Sequence, residues 1–390
     1  MLKYFFLTAA LISGTLYIPG LHAQTFDPFY QTVVSNISYD SVLANLQQFE
    51  ALGVKEPGTN ALNNTRDWIL DKYINSGYTD IQVDSFNAWG DDYYNIIISK
   101  TGTLYPDTFV IIDGHYDTNN GTGTNDNGSG TSIILEVARV LKDIYTEYSI
   151  KFIHFSGEEM GYLGSDHYVN DIVNPQNMNI RIVFNIDEVG GVAGLPNDTV
   201  KCESDQSNPS SNDAISDAFT DTLMTLTEIY SSLKTIMTNA YGSDYVPFQQ
   251  NGEIITGYYE YNKSDYVHTS DDFLLYLDTS YVYEIAKASA ASTMYFARAY
   301  DVSVDNAEYN KQPNIIMYPN PFSNQVHISS GINIKLQFTL YNLTGQKIIE
   351  RYFSGQTVLY LSELPASGYL FRITDSSGNM MKSGLLVKEK

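Results

Sequence analysis

Two histidines and three acidic residues stand in short contexts that are typical of metal-binding motifs. Imidazole nitrogens and carboxylate oxygens are ligands that suit Zn²⁺. Five such ligands are enough for two zinc ions if one carboxylate is shared, and positions remain open for water and substrate. The sequence therefore predicts a hydrolytic site with two zinc ions. The residues are His115 in Gly-His-Tyr-Asp, Asp126 in Asn-Asp-Asn-Gly-Ser-Gly, Glu159 in Gly-Glu-Glu, Asp187 in Asn-Ile-Asp-Glu and His268 in Val-His-Thr-Ser-Asp-Asp.

Asp126 is the candidate for the shared carboxylate. It lies in a glycine-rich turn ahead of a predicted helix, where Gly128 and Gly130 allow the backbone to approach closely. Taken alone, this turn would be interpreted as an ordinary surface turn. Glu158 stands directly before Glu159, and the side chains of adjacent residues diverge. One of the two acids can therefore bind metal while the other stays free to take a proton from water, and we expect Glu159 to be the ligand and Glu158 the general base.

Two further acidic residues are expected to support the ligands. Asp117 follows His115 by two residues and is placed to fix the tautomer of that imidazole. Asp272 follows His268 by four residues and fits a similar supporting position. An acidic residue at a helix N-terminus is the equal alternative for Asp272.

Short apolar runs alternate with helical patterns before residue 300. This alternation predicts an α/β fold, in which a mostly parallel mixed sheet carries helices on both faces. His115, Glu158 and Asp187 come just after predicted strands, and sites in open α/β sheets form beyond the carboxyl ends of the strands. Strands are predicted at 94–98, 109–112, 150–155 and 182–186, and helices near 40–49, 60–76, 130–141, 161–168 and 280–300.

The two ends of the chain differ in character from the region between them. Residues 1–23 combine a charged start, a short apolar run and a small-residue ending at Ala23, which is the pattern of a secretory signal peptide. That run is broken by Gly and Pro, so we expect no stable membrane insertion. Residues 24–300 are predicted to form the catalytic domain, 301–312 a polar linker and 313–390 a small β-sandwich.

The composition excludes some partners. A net charge of −23 argues against nucleic acid, because a phosphate backbone would be repelled. The single cysteine, Cys202, has no partner for an internal disulfide, and we expect a buried, inert thiol. We expect a monomer.

The motifs carry a resemblance to a known family. In their order and contexts, residues 31–300 resemble the secreted bacterial leucyl-type aminopeptidases with two zinc ions, which share their fold with glutaminyl cyclases and glutamate carboxypeptidase. The resemblance also implies a cis peptide bond between Asp126 and Asn127. It assigns His115 and Asp187 to one zinc, Glu159 and His268 to the other, Asp126 to the bridge and Glu158 to the base.

One motif departs from the family pattern. Where the family commonly has Ser-Asp-His, this chain has Ser243, Asp244 and Tyr245. The family's histidine is not a zinc ligand, so we expect metal binding to be retained and the substrate pocket to differ. The resemblance further implies that Tyr241 donates a hydrogen bond to the oxyanion of the tetrahedral intermediate.

The end of the chain resembles the C-terminal sorting domain of the type IX secretion system. The resemblance lies in Met-Tyr-Pro-Asn-Pro-Phe at 317–322, Leu-Tyr-Asn-Leu-Thr-Gly-Gln at 340–346, Leu-Pro-Ala-Ser-Gly-Tyr at 364–369 and the closing 384–388. It implies a secretion machinery as partner, and a secreted or cell-surface location. A β-sandwich that binds carbohydrate or stabilises the enzyme is the alternative.

Together these observations predict a secreted zinc aminopeptidase that acts on peptides with a free N-terminus. A metal-bound hydroxide, formed with Glu158 as base, would attack the first carbonyl group. The alternatives are a glutaminyl-peptide cyclase, a carboxypeptidase or an N-acyl deacylase. The cyclases lack the Asn-Gly-Ser-Gly context after the shared aspartate. A degenerate surface binding module would require a lost ligand or base, and the six key positions carry competent residues.

Overall fold

The computed structural model describes residues 25–240, 242–301, 315–330, 334–342, 345–376 and 380–389. The predicted signal peptide at 1–23 lies outside the described residues, as does the predicted linker apart from Asp301. The chain divides into two compact units between Asp301 and Val302. Within the described residues, no helix combines the length and the apolar character needed to cross a bilayer.

The first unit alternates helices with strands. Its helices are α1 (Pro28–Val34), α2 (Tyr39–Ala51), α3 (Asn60–Asn75), α4 (Gly128–Leu141), α5 (Leu163–Tyr168), α6 (Asn174–Gln176), α7 (Asp213–Tyr230), α8 (Tyr245–Gln250) and α9 (Thr279–Phe296), with a π-helical turn at Val169–Val173 and a 3-10 turn at Leu274–Tyr276. Its strands are β1 (Ile81–Ala88), β2 (Asp91–Lys100), β3 (Tyr105–His115), β4 (Tyr145–Thr146), β5 (Tyr148–Phe155), β6 (Asn179–Ile186), β7 (Thr199–Ser204), β8 (Lys234–Asn239), β9 (Ile255–Glu260) and β10 (Ala299–Tyr300).

Eight of these strands form one sheet in the order β1-β2-β5-β3-β6-β9-β7-β8. The inner strands β5, β3, β6 and β9 run parallel to one another, and β8 is parallel to β7. Strand β2 is antiparallel to β1 and β5, and β7 is antiparallel to β9. The predicted mostly parallel mixed sheet is confirmed.

The sheet has an apolar core on each face, because neighbouring residues of a strand point to opposite sides. On β2, Ile96 and Ile98 belong to the core that is covered by α4, α7 and α9. Ile97, between them, belongs to the core on the other face, which α5 and α8 cover with residues such as Tyr168 and Phe248. Strands that are buried on both faces explain the continuous apolar runs of the sequence.

The start of α4 lies directly against the end of β6. A Cβ atom added at Gly130 would stand 2.2 Å from the carbonyl oxygen of Ile186, so only glycine permits this approach. Asn127 caps the helix by accepting the N–H of Gly130 at 2.9 Å, and it donates to Ile186 O at 2.8 Å. The glycine-rich turn thereby brings Asp126 beside Asp187.

The first unit differs from the sequence-based prediction in the bounds of two helices and in several elements that were not predicted. Helix α5 begins at Leu163 instead of 161, because Tyr162 has a left-handed backbone with φ 62°. Helix α9 ends at Phe296, and the residues of β10 then pair with β4. Strands β1, β4 and β7 to β10 and helices α1, α6, α7 and α8 were not predicted. Every residue of β8, an edge strand, is exposed or half-buried, which gives a weak apolar signal.

The second unit consists of antiparallel strands. They are β11 (Ile316–Tyr318), β12 (Gln325–Ser329), β13 (Lys335–Tyr341), β14 (Lys347–Ser354), β15 (Gln356–Tyr360), β16 (Gly368–Asp375) and β17 (Met380–Val387). One sheet has the order β11-β12-β15 and the other β14-β13-β16-β17. Alternate residues such as Val326, Phe338 and Ile373 build one shared core. The predicted β-sandwich is confirmed.

We predict that Phe184→Ala lowers the free energy of unfolding of the first unit by about 3–5 kcal/mol. Phe184 is fully buried on β6 and packs edge-on against Tyr258 at 5.2 Å between ring centroids. The two tryptophans of the chain, Trp68 and Trp89, both lie in this unit, so their fluorescence during denaturant unfolding reports on it. Leu275→Ala, at a leucine that is 76% exposed, serves as the control and should change little.

Candidate metal centre

The proposed ligands meet at one edge of the central sheet. His115 is the last residue of β3, Asp187 follows β6, and Glu158 and Glu159 stand in the loop after β5. These three strands are parallel neighbours, so their carboxyl ends share this edge. Asp126 is added by the turn before α4. The fifth ligand, His268, comes from the loop between β9 and α9.

His115 organises one half of the site. Its Nε2 atom lies 3.2 Å from Oδ1 of Asp126 and 3.3 Å from Oδ1 of Asp187. Its other nitrogen, Nδ1, lies 3.1 Å from the main-chain carbonyl oxygen of Asp117, which can only accept a hydrogen bond. A proton on Nδ1 leaves the lone pair on Nε2, and that is the form of histidine that binds metal.

His268 organises the other half. Its Nε2 atom lies 3.0 Å from Oδ2 of Asp126 and 3.0 Å from Oε2 of Glu159. Each carboxylate oxygen of Asp126 therefore faces a different histidine. This is the arrangement of a carboxylate that is shared between two ions. The side chain of His268 is half exposed, whereas that of His115 is buried.

Several polar atoms in this cluster are buried and have no hydrogen-bond partner among the residues that the structure describes. They are Nε2 of His115, Oδ1 of Asp187 and Oε1 of Glu159. Leaving such an atom unsatisfied costs about 1–3 kcal/mol, and a coordinated cation removes that cost. Donor atoms of His115, Asp126 and Glu159 lie within 4.8 Å of one another, as do those of His115, Glu158 and Asp187. These residues fit zinc in number, type and placement.

Asp117 supports the cluster in a way that the sequence did not predict. Its carboxylate accepts the backbone N–H groups of Glu158 and Glu159, each at 3.2 Å. The same carboxylate stays 3.7 Å from Nδ1 of His115, so the carbonyl group of Asp117, and not its side chain, orients the imidazole. The side chain instead fixes the loop that carries both glutamates.

Asp272 holds the turn that carries the shared carboxylate. Its oxygens accept the backbone N–H groups of Asn125 at 2.9 Å and Asp126 at 3.1 Å. The nearby 3-10 turn starts two residues later, at Leu274, so the carboxylate of Asp272 is used on the turn and not on a helix end. The peptide bond after Asp126 is cis, as the resemblance implies.

Glu158 lies beside the ligands with its carboxylate open to solvent on one side. Its Oε2 atom is 3.8 Å from Nε2 of His115, and its side chain is 13% exposed. Burial raises the pKa of Glu158 well above its usual range, His115 opposes that rise, and Asp187 adds to it. A carboxylate with a raised pKa is a stronger base, which suits proton transfer from water.

The neighbouring ligands show the same crowding of negative charge. Burial raises the pKa of Glu159 to about 7, although its hydrogen bond with His268 opposes the rise. Hydrogen bonds to Asp126 and to Glu159 raise the pKa of His268 to about 11. Bound cations would favour the ionised carboxylates and the neutral imidazole that coordination requires.

The structure adds one contact to the site that sequence reasoning missed. Ser243 is buried, and its Oγ atom donates to Oδ2 of Asp187 at 2.7 Å. A serine has no periodic or charge signal, and its place in the Ser-Asp-Tyr motif was the only pointer to it. Tyr241, the candidate oxyanion donor, lies outside the described residues. Tyr245, which replaces the family's histidine, is fully buried.

Known proteins match both units. Residues 316–388 match the model of the secretion system C-terminal sorting domain. Aminopeptidase YwaD of Bacillus subtilis is 44% identical over 98 residues, which are 25% of this chain and 22% of that protein. The chain spans less than half of the length of the curated relatives that it matches.

Solved structures share the fold. The LapA aminopeptidase of Legionella pneumophila has a TM-score of 0.62 at 19% identity, covering 77% of this chain and 80% of that chain. The glutaminyl cyclase of Macrostomum lignano has a TM-score of 0.62 at 14% identity, covering 72% and 96%. The model of peptidase family M28 matches residues 95–293, just over half of the 390 residues. The chain therefore belongs to peptidase family M28.

Proposed function

We propose that this protein is a zinc-dependent aminopeptidase that removes the first residue from peptides with a free N-terminus. The observation that carries the proposal is the shared carboxylate. Asp126 directs one oxygen to His115 and the other to His268, at 3.2 Å and 3.0 Å. Membership of a peptidase family and the likeness to aminopeptidase YwaD and to LapA support it.

The distances support a division of the ligands between two zinc ions. His115 and Asp187 would hold one zinc ion, His268 and Glu159 would hold the other, and Asp126 would contact both. Bound zinc would polarise the attacking water and the carbonyl group of the substrate, and so lower the barrier to hydrolysis.

Glu158 is the residue that moves the proton. It lies at the open side of the cluster and is not needed as a ligand in this assignment. Its carboxylate would accept a proton from the attacking water and then deliver it to the amine that leaves when the peptide bond breaks. The backbone of Glu158 is fixed by Asp117, so the carboxylate is held in place before substrate arrives.

The acidic surroundings favour a substrate with a positive charge at its N-terminus. Glu188, next to the ligand Asp187, is a further partly exposed acid, and its Oε2 atom accepts a hydrogen bond from Tyr259 at 3.0 Å. Bound zinc would offset the charge of the ligand carboxylates, so a free α-ammonium group would be attracted chiefly to Glu188, which would repel a C-terminal carboxylate. This contrast favours an aminopeptidase over a carboxypeptidase.

The likeness to a glutaminyl cyclase keeps cyclisation as the second candidate. The glycine-rich context after Asp126 favours the peptidase, since the cyclases lack it. In this chain Gly130 allows α4 to approach β6, and this approach brings Asp126 to the two histidines.

We further propose that the enzyme is exported. The match of residues 316–388 to a secretion sorting domain supports a type IX route to the cell surface or the medium. The signal peptide at 1–23 and the monomeric state remain predictions.

The activity is tested with free-amine amino-acyl amides against their N-acetylated counterparts, with zinc per chain measured before and after chelation. We expect cleavage of the free-amine set alone, about two zinc ions per chain and loss of activity on chelation. Zinc-loaded protein that cleaves neither set, and that converts N-terminal glutamine to pyroglutamate, would instead establish the cyclase.

Glu158→Gln should retain zinc and lose turnover by about two to four orders of magnitude, because the amide cannot accept the proton. Zinc content and kcat are measured on the same preparation. A turnover near that of the wild type would exclude Glu158 as the base.

Asp272→Asn should weaken zinc binding by about 10- to 100-fold, because an amide cannot accept both N–H groups of the turn that carries Asp126. Chelator competition gives the affinity. Asp271→Asn is the matched control, since Asp271 is the exposed neighbour. Equal affinities in the two variants would contradict a supporting role for Asp272.

A further inference from the structure

Tyr245 occupies the position at which the chain departs from the family pattern. It is the first residue of α8, and its side chain is fully buried in the core on the α5 and α8 face of the sheet. Phe248 and Tyr168 belong to the same core. The aromatic ring therefore has a packing role that a phenylalanine would also fill, and the hydroxyl group requires a separate explanation.

The hydroxyl of Tyr245 joins two parts of the chain. It accepts the backbone N–H of Gly242 at 3.1 Å. It also forms a hydrogen bond with the side chain of Glu203, a residue of β7 that is only 2% exposed. A phenolic hydroxyl has one proton to donate and lone pairs that accept. The hydroxyl of Tyr245 therefore accepts from Gly242 and donates its proton to the carboxylate of Glu203.

Glu203 is buried within the central sheet. Glu203 pairs with Gly257 across β7 and β9. A Cβ atom at Gly257 would stand 3.4 Å from Oε2 of Glu203, an ordinary van der Waals distance, so the carboxylate lies directly against β9. Burial raises the pKa of Glu203 to about 8, and the hydrogen bond with Tyr245 opposes that rise.

The contact with Gly242 leads directly to the metal centre. The next residue, Ser243, donates its Oγ proton to Oδ2 of Asp187 at 2.7 Å. We propose that Tyr245 and Glu203 form a clamp that positions Ser243, and through it orients the carboxylate of Asp187 for zinc. Tyr245 is thus a positioning residue that does not touch the substrate. The inference rests on the zinc site of the proposed function.

Loss of the hydroxyl has a defined consequence. In Tyr245→Phe the ring still fills the core, but the N–H of Gly242 and the carboxyl of Glu203 lose their shared partner. The loop that carries Ser243 is then free to shift, and Oδ2 of Asp187 loses a fixed donor. Residues that orient a metal ligand from outside typically change metal affinity by about 10- to 100-fold.

The test measures zinc affinity of the full chain by chelator competition, together with kcat. We expect Tyr245→Phe and Ser243→Ala each to weaken zinc binding by about tenfold. The double variant should be no weaker than the single ones, because both changes break one linkage. Tyr168→Phe is the matched control: it removes a hydroxyl from the same core, where the contact is Met178 Sδ at 3.8 Å, and should leave affinity unchanged.

Glu203→Leu removes the other partner of the clamp and should cause the same loss of zinc affinity. It replaces Tyr245→Phe in the test if that variant folds poorly. Wild-type affinity in either folded variant, or losses that add fully in the double variant, would overturn the clamp. If the wild type holds zinc but cleaves no peptide, the aminopeptidase assignment fails while the affinity test of the clamp stands. A wild type that holds no zinc contradicts both.

Discussion

Mutual repulsion among carboxylates is the constraint around which the first unit is built. Asp126, Glu158, Glu159 and Asp187 converge on two histidines within a few ångströms of one another. Such a cluster opposes folding unless cations or hydrogen bonds offset the charge. Two further carboxylates hold the backbone against this repulsion: Asp117 and Asp272 each accept two main-chain N–H groups and so fix the loops on either side of the site.

The parallel sheet makes this convergence possible. Adjacent parallel strands end at the same edge, so residues that are far apart in sequence arrive side by side without long excursions of the chain. His115 and Asp187 come from neighbouring strands and meet at 3.3 Å. The loop with His268 closes the cluster from outside the sheet, which explains why that histidine is the exposed member.

The sequence was informative where function demands a particular residue type, and less so where packing decides. The candidate ligands and Glu158 could be singled out because few residue types bind zinc, and all of them except His268 stand at the end of an apolar strand or in a glycine-rich turn. The role of Ser243 depends on a loop conformation that no local pattern encodes. The carbonyl contact of Asp117 arises from backbone geometry at the end of β3, and β8 lacks the apolar pattern of a buried strand.

The close packing of α4 on β6 links the packing of the core to the affinity of the proposed metal site. Any side chain at position 130 would displace the helix from the carbonyl group of Ile186, and the turn with Asp126 would move with it. A substitution at Gly130 that disturbs this packing would therefore also move Asp126 and change the affinity for metal. Substitutions in this turn are therefore constrained by the metal site as well as by the packing of the core.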